Sequence, residues 1–207
     1  MAFLKEQYRQ AFAFFRVELL PYFRNSTIAF FVILLVFYAA GMLYPPVMDT
    51  MISYFEGVVE QSGIVSDGGQ ILVLNLLANN LLASATSIVY GIIPFLFLPA
   101  LSIGMNAAVL GALGAMYQKQ GLSLLLYAAA LVPHGIFEIP ALLVAFACGL
   151  YLCRTVTRTL LGRETAMPLP QALLSLVRVY VAVIVPLLVV ASVVEAYVTP
   201  WFASLFS

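Results

Sequence analysis

The feature that most constrains this 207-residue chain is a series of apolar stretches long enough to cross a bilayer. One covers residues 28–44 and ends at Pro45 and Pro46, and two fit within residues 71–117, with Gly91 and Pro94 marking the turn between them. One more lies in residues 121–153, and the last covers residues 173–198. A spanning helix needs about 20 apolar residues, because it rises about 1.5 Å per residue through a hydrocarbon core about 30 Å thick. The sequence therefore predicts an all-α polytopic membrane helix bundle with about five spanning helices.

Composition supports the same fold class and narrows the partners. Hydrophobic residues make up 64% of the chain and charged residues 9%, so a water-exposed surface would carry large apolar patches. The lipid bilayer is the predicted partner of most of the surface. The formal net charge is zero and no long basic run exists, which argues against nucleic acid as a partner. The spacing of Cys148 and Cys153 fits neither a metal knuckle nor a disulfide framework, so both are interpreted as helix packing.

The chain divides into three predicted segments. Residues 1–25 mix basic and apolar side chains, which is typical of an amphipathic helix lying in the cytoplasmic membrane interface. Residues 26–202 are predicted to form a single transmembrane bundle, and residues 203–207 a short extracytoplasmic tail. Within the bundle, residues 45–70 hold acidic residues and no Lys or Arg, and they are predicted to form an extracytoplasmic loop. The acidic residues of this loop are Asp49, Glu56, Glu60 and Asp67.

The distribution of basic residues predicts the orientation. With a cytoplasmic amino terminus and five crossings, one basic residue, Lys119, falls outside the cell. The others lie on the cytoplasmic side, where basic residues are usually enriched: Lys5, Arg9, Arg16, Arg24, Arg154, Arg158, Arg163 and Arg178. We therefore expect a multi-pass protein of the plasma membrane with an extracytoplasmic carboxyl terminus.

Residues 121–153 are too long for one upright crossing and too short for two. Proline lacks the N–H that a continuing helix uses and fits the first helical turn, so Pro133 and Gly135 predict a broken helix at Pro133. The part before the break is then a short or re-entrant helix. One kinked and tilted helix is the alternative.

Polar residues within the apolar stretches predict an intramembrane polar cluster. Asn75 and Asn79 share a helix face, as do His134 and Glu138, because residues four apart lie one turn above each other. An ionised carboxylate in hydrocarbon costs several kcal/mol, so these side chains are expected to meet in the bundle interior. The predicted cluster comprises Asn75, Asn79, Asn106, His134, Glu138 and Glu195. Its role is left open between a network that fixes helix register and a functional site.

Motifs for catalysis and for cofactors are missing from the sequence. HExxH is absent, and one imidazole with carboxylates from separate helices has no signature spacing, so no metal site and no cofactor are predicted. No GxSxG elbow accompanies the single histidine, and no glycine-rich phosphate loop is present. We therefore expect no catalytic residues and no enzymatic activity.

Four segments together carry a resemblance to a known family. They are Asn75 to Asn80, Gly104-Met-Asn106, Pro133-His134-Gly135-x-x-Glu138-x-Pro140-Ala141, and Glu195-Ala-Tyr-Val-Thr199-Pro200. From about residue 26 to 202 the chain resembles the stage II sporulation protein M family of integral membrane proteins. One departure is Ala107, where the family commonly has Gly. The resemblance implies, for spore formers, a subunit of a membrane complex that remodels peptidoglycan during engulfment without being the hydrolase itself.

Three functions remain in competition on this sequence. The favoured one is a non-enzymatic scaffold or subunit of a membrane complex, whose partners are other membrane or envelope proteins or further copies of the chain. The second is a transporter or channel for a small solute or lipid, with its site at His134 and Glu138 on a broken helix. The third is an intramembrane enzyme that uses the same pair as acid and base.

Overall fold

The computed structural model describes residues 2–65 and 71–206, so the predicted loop residue Asp67 lies outside the described residues. The helices are α1 (Ala2–Phe14), α2 (Leu20–Leu43), α3 (Pro45–Ser62), α4 (Val73–Val89), α5 (Leu98–Lys119), α6 (Leu124–Leu160), α7 (Leu169–Val179), α8 (Val185–Val193) and α9 (Thr199–Ala203). Three π-helical turns, Phe15–Leu19, Tyr180–Ile184 and Val194–Val198, connect α1 to α2, α7 to α8 and α8 to α9. A 3₁₀ turn, Tyr90–Ile92, follows α4.

The structure confirms the all-α polytopic bundle. Five helical segments are long and apolar enough to cross a membrane: Phe3–Leu43, Val73–Ile92, Leu98–Lys119, Leu124–Leu160 and Leu169–Ala203. The second and third are joined by a short turn near Gly91 and Pro94, as the sequence predicted. The protein is therefore an integral membrane protein, and many large apolar side chains lie on its surface.

Helix α6 is the centre of the bundle. It packs against α2, α4, α5, α7, α8 and α9, and it is the most buried of the five membrane-length segments. Its Ala145 and Cys148 belong to an apolar core shared with the amino-terminal and carboxyl-terminal helices. Its Phe146 belongs to a second core with Phe30 of α2 and Ala107 of α5. Because α6 serves both cores, it positions the polar side chains that it carries.

Glycines allow two very close helix contacts. A Cβ on Gly149 of α6 would lie 2.4 Å from the carbonyl oxygen of Ser87, and a Cβ on Gly111 of α5 would lie 2.3 Å from that of Leu34. Small residues in membrane helices permit this kind of backbone approach. On α5 the small residues Ala108, Gly111 and Ala115 are buried, while a Cβ on Gly104 would meet nothing within 4 Å.

The predicted helix break at Pro133 is wrong. Helix α6 begins at Leu124, where the Ser123 hydroxyl accepts a hydrogen bond from the Leu125 N–H, and it continues through Pro133 and Pro140 to Leu160. Each proline removes one N–H from the helix ladder, a loss that membrane helices tolerate when neighbouring helices surround them. Helix α6 has such neighbours on several sides, so the packing keeps the helix continuous.

The loop predicted over residues 45–70 is largely helical, which corrects the sequence interpretation. Pro45 and Pro46 begin α3 rather than a loop, since proline fits the first helical turn. The helix ends at Ser62, and Gly63 follows in the left-handed conformation that glycine adopts readily. Helix α3 packs against α2 and α5 but buries none of its own residues.

The amino-terminal segment has no helix end at residue 25. Helices α1 and α2 run on through the π-helical turn Phe15–Leu19, so the helical chain is continuous from Ala2 to Leu43. Ala11 and Phe14 of α1 are buried in the core that also holds Leu176 of α7. The predicted interfacial helix is thus attached to the bundle through one apolar face. At the other terminus, α9 ends at Ala203, and Ser207 lies outside the described residues.

Candidate functional site

The structure brings together His134, Glu138 and Glu195, which we call the His134 cluster. One ligand-type atom from each residue lies within 4.8 Å of those from the other two. His134 and Glu138 are one turn apart on α6, and the His134 Nε2 lies 3.9 Å from the Glu138 Oε2. Glu195 comes from the π-helical turn between α8 and α9. The cluster therefore joins the central helix to the carboxyl-terminal helix.

A fourth residue, Thr199, orients the imidazole. The His134 Nδ1 lies 3.1 Å from the Thr199 Oγ1. The Thr199 hydroxyl in turn donates to the Val194 carbonyl oxygen, at 3.3 Å. Because the only hydroxyl proton points to Val194, the Thr199 oxygen accepts a hydrogen bond from Nδ1–H of the imidazole. This arrangement leaves a lone pair on Nε2, facing Glu138.

The His134 cluster is partly shielded from its surroundings. The His134 residue is 9% exposed, and the side chains of Glu138 and Glu195 are half-buried. Apolar residues beside it, Ile136 on α6 and Tyr197 on the π-helical turn, are well exposed. Among the described residues, no Lys or Arg forms a salt bridge with either carboxylate. The cluster thus holds two carboxyl groups and one imidazole without a fixed counter-cation.

The asparagines of the predicted cluster are not hydrogen-bonded to it. The Asn75 side chain donates to the Gly63 carbonyl oxygen at the end of α3, and the Asn106 side chain donates to the Ser102 carbonyl oxygen on its own helix. Both residues are exposed. Asn79 is half-buried, and no hydrogen bond links it to the described part of the chain. The predicted grouping of six residues therefore separates into one group of three and isolated amides.

Thr199 and Asn80 are buried polar residues that the sequence analysis named in the family segments but did not include in the predicted cluster. Thr199 hydrogen-bonds the imidazole and lies four residues after Glu195. Residues four apart on a helix share a face, so the position of Glu195 could have indicated Thr199. Asn80 is 7% exposed, and its amide nitrogen has no hydrogen-bond partner within the described residues. No sequence signal separates it from its neighbour Asn79, since adjacent asparagines on a helix differ only in the side they face.

A second polar region lies at the carboxyl-terminal end of α6. A cavity of about 280 Å³ is lined there by charged and hydroxyl side chains, among them Glu18, Tyr22, Tyr151, Arg154, Arg158 and Glu164. Arg154 donates to the Tyr22 hydroxyl at 2.9 Å, and the Arg158 Nε donates to the Glu164 carbonyl oxygen at 2.7 Å. Tyr151 is 4% exposed, yet its hydroxyl has no partner within the described residues. None of these residues belonged to the predicted cluster.

The His134 cluster offers a limited chemistry. One imidazole nitrogen and two carboxylates are ligands that zinc and similar divalent ions accept, and the same groups also exchange protons or form a buried hydrogen-bond network. The His134 ring contacts Thr199 and Glu138. Among the described residues, no serine or cysteine forms a hydrogen bond with it.

Comparison with known proteins identifies the family. The family model for stage II sporulation protein M matches residues 27–200, which include the whole His134 cluster and Thr199. No curated protein and no solved structure matches the chain. The matched range agrees with the resemblance seen in the four sequence segments. Because the match covers most of the chain, this integral membrane protein belongs to the stage II sporulation protein M family.

Proposed function

We propose that this protein is a non-enzymatic scaffold subunit of a complex in the plasma membrane, and that its outer contact surface is α3. The observation that carries this proposal is the distribution of charge on that helix. Asp49, Glu56 and Glu60 are all exposed, and their spacing of seven and four residues sets them in one stripe. Helix α3 carries no Lys or Arg. The stripe is an uninterrupted acidic face.

The packing of α3 keeps this acidic stripe free. Its opposite side contacts α2 and α5, where Met48 approaches Gly41 of α2. No residue of α3 is buried, and the three carboxylates of the stripe remain exposed. An acidic face of this kind complements a basic segment, and electrostatic complementarity provides specificity and fast association. The proposed partner is therefore a basic extracytoplasmic segment of another membrane or envelope protein.

Contacts of basic residues with α1 and with the start of α2 support the proposed orientation. Arg154, near the end of α6, donates to Tyr22, and Arg178 on α7 donates to Gln7 on α1 at 2.9 Å. These basic residues are thus at the same end of the bundle as α1. Lys119 is the last residue of α5, and Tyr38 of α2 donates a hydrogen bond to the preceding Gln118. In the proposed orientation this end of α5 is the extracytoplasmic one. If the amino terminus is cytoplasmic, most basic residues lie on the cytoplasmic side, where they are usually enriched.

Labelling of single cysteines tests this orientation. Gln61→Cys at the end of α3 and Ser204→Cys after α9 are expected to react with a membrane-impermeant maleimide added outside intact cells. A cysteine at Arg163, between α6 and α7, is expected to react only after permeabilisation. Labelling of Ser204→Cys exclusively from the cytoplasmic side would contradict both the five crossings and the proposed orientation.

Site-specific crosslinking in native membranes tests the scaffold role. Ser53 is exposed and lies between Asp49 and Glu56 on the stripe, so a photoreactive residue there is expected to form a protein adduct. Leu101 on α5 is 65% exposed and serves as the lipid-facing control position. Combining the Ser53 probe with Asp49→Asn, Glu56→Gln and Glu60→Gln is expected to abolish the adduct. Equal crosslinking from Ser53 and Leu101, or an adduct insensitive to the three amides, would refute the proposed surface.

The His134 cluster motivates a second candidate function, transport of a small solute or lipid. It sets titratable groups inside a membrane helix, where such groups often mark a permeation or proton path. Glu138→Gln distinguishes the two candidates, because an amide replaces most hydrogen bonds of a carboxylic acid but carries no charge. A scaffold is expected to keep its complex and its phenotype. Loss of phenotype in a variant that retains the crosslinked complex would favour transport.

A further inference from the structure

We propose that His134, Glu138 and Glu195 form a binding site for one divalent transition-metal cation of the zinc class. The three side chains provide one nitrogen and two oxygen ligands, all within 4.8 Å of one another. Ligand atoms around a tetrahedral zinc ion with bonds of about 2.0–2.1 Å lie about 3.4 Å apart. The His134 Nε2 and the Glu138 Oε2 are 3.9 Å apart, which is already close to that value. The other ligand separations, which are at most 4.8 Å, shorten toward the same value when an ion binds.

The contact with Thr199 prepares the imidazole for a metal. A histidine ligand binds through one ring nitrogen while the other nitrogen donates to a fixed acceptor, which sets the tautomer and the ring orientation. Here Nδ1 donates to the Thr199 oxygen, and that hydroxyl is itself fixed by its bond to the Val194 carbonyl. The free lone pair is then on Nε2, the nitrogen that faces Glu138. Thr199 is a positioning residue for this site.

Charge balance gives a second, independent argument. Two ionised carboxylates within a membrane helix bundle are costly unless a positive charge accompanies them. No Lys or Arg of the described ranges forms a salt bridge with Glu138 or Glu195. A divalent cation bound by a neutral imidazole and two carboxylates makes the site neutral as a whole. A mixed nitrogen and oxygen ligand set favours zinc or a similar transition metal over Mg²⁺, which prefers oxygen ligands.

The backbone around Glu195 is of the type often found at functional sites. Val194–Val198 is a π-helical turn in the carboxyl-terminal segment, between the regular helices α8 and α9. Single π-helical turns within α-helices frequently occur where a side chain serves a function. Glu195 lies on this turn and Thr199 follows it as the first residue of α9. Both approach His134 on α6, the first as a proposed ligand and the second as the partner of the imidazole. The proposed metal site does not depend on the role of α3.

Metal titration of the full chain in lipid nanodiscs tests the site. After removal of bound metal with a chelator, Zn²⁺ is expected to bind with one saturable equivalent per chain, and Co²⁺ to show the visible absorption of a bound ion. Single changes of the ligands, His134→Gln, Glu138→Gln and Glu195→Gln, are expected to remove this binding. Glu6→Gln, a carboxylate on α1 that pairs with Arg9, is the control and is expected to bind normally.

A pair of substitutions at Thr199 keeps the test decisive if a ligand variant fails to fold. Thr199→Val removes the acceptor of Nδ1 and is expected to lower Zn²⁺ affinity by about 10–100-fold. Thr199→Ser keeps the hydroxyl and is expected to retain the affinity. Absence of saturable binding in the wild-type chain, or equal affinity in the Val and Ser variants and the wild type, would overturn the metal site.

Discussion

Buried polar groups toward the two ends of α6 differ in whether they have hydrogen-bond partners. Near its beginning, His134 hydrogen-bonds Thr199 from the carboxyl-terminal segment and faces Glu138. Toward its end, Tyr151 is as deeply buried, but its hydroxyl has no partner within the described residues and it lines a cavity of about 280 Å³. The same helix thus builds one compact side-chain network and one open polar cavity. The difference shows that burial alone does not define a site, because partners decide what a buried polar group contributes.

The largest loss of stability is expected at Gly149, where α6 packs closely against neighbouring segments of the bundle. Gly149→Ala sets a Cβ 2.4 Å from the Ser87 carbonyl oxygen and 2.7 Å from the Pro99 Cγ, so the helices must separate. Overpacking of this kind costs about 1–3 kcal/mol or more. We expect a lower thermal unfolding temperature in detergent and weakened structure at both ends of α6.

Gly104→Ala is the matched control for this change. Gly104 lies within α5, and an added Cβ there meets nothing within 4 Å. Alanine is a better helix former than glycine by about 1 kcal/mol, so the control variant is expected to be as stable as the wild type or slightly more stable. Equal destabilisation by both substitutions would show that the close α6 contact at Gly149 does not hold the helix.

An intermediate effect is expected at the satisfied end. Thr199→Val leaves the buried Nδ1–H of His134 without its acceptor, at a cost of about 1–3 kcal/mol. The measurement is the unfolding midpoint of chelator-treated protein, which separates this effect from metal binding. Thr199→Ser should restore the wild-type midpoint, since the hydroxyl is kept. A Val variant as stable as the Ser variant would mean that the His134 hydrogen bond contributes nothing.

The smallest effect is expected at the open end. Tyr151→Phe removes a hydroxyl that has no partner within the described residues, so the free energy of unfolding should change by no more than about 0.5 kcal/mol, in either direction. The ring contacts with Phe14 and Tyr22, at 5.3 Å and 5.9 Å between centroids, are retained in this variant. A loss above about 1 kcal/mol would reveal a hydrogen-bond partner in the cavity and remove the contrast between the two ends.

Much of the architecture was predictable because hydropathy and length are local properties. Five apolar stretches predicted five membrane-length helical segments, and the turn near Gly91 and Pro94 was read directly from residues that interrupt helices. The helix over residues 45–62 was missed because two prolines and several charges were interpreted as loop signals. In the structure the same prolines occupy the start of α3, where a helix tolerates them.

The candidate site was predictable in its chemistry but not in its membership. The cost of polar groups in hydrocarbon selected His134, Glu138 and Glu195 as members of one cluster, and the structure brings the side chains of these three together. The same rule also selected Asn75 and Asn106, whose amides find backbone carbonyls nearby. An amide satisfied by its own surroundings and an amide that joins a distant cluster look identical in sequence.

The sequence by itself determined the membrane class, the five candidate membrane-spanning stretches and the family, and it singled out His134, Glu138 and Glu195, since each follows from side-chain types and their spacing along the chain. Only the tertiary structure decided that α6 continues through Pro133 and that Thr199 holds His134. The physical reason is the same in both cases. A missing backbone hydrogen bond or a buried imidazole is tolerated according to what packs against it, and those neighbours come from helices far apart in the sequence.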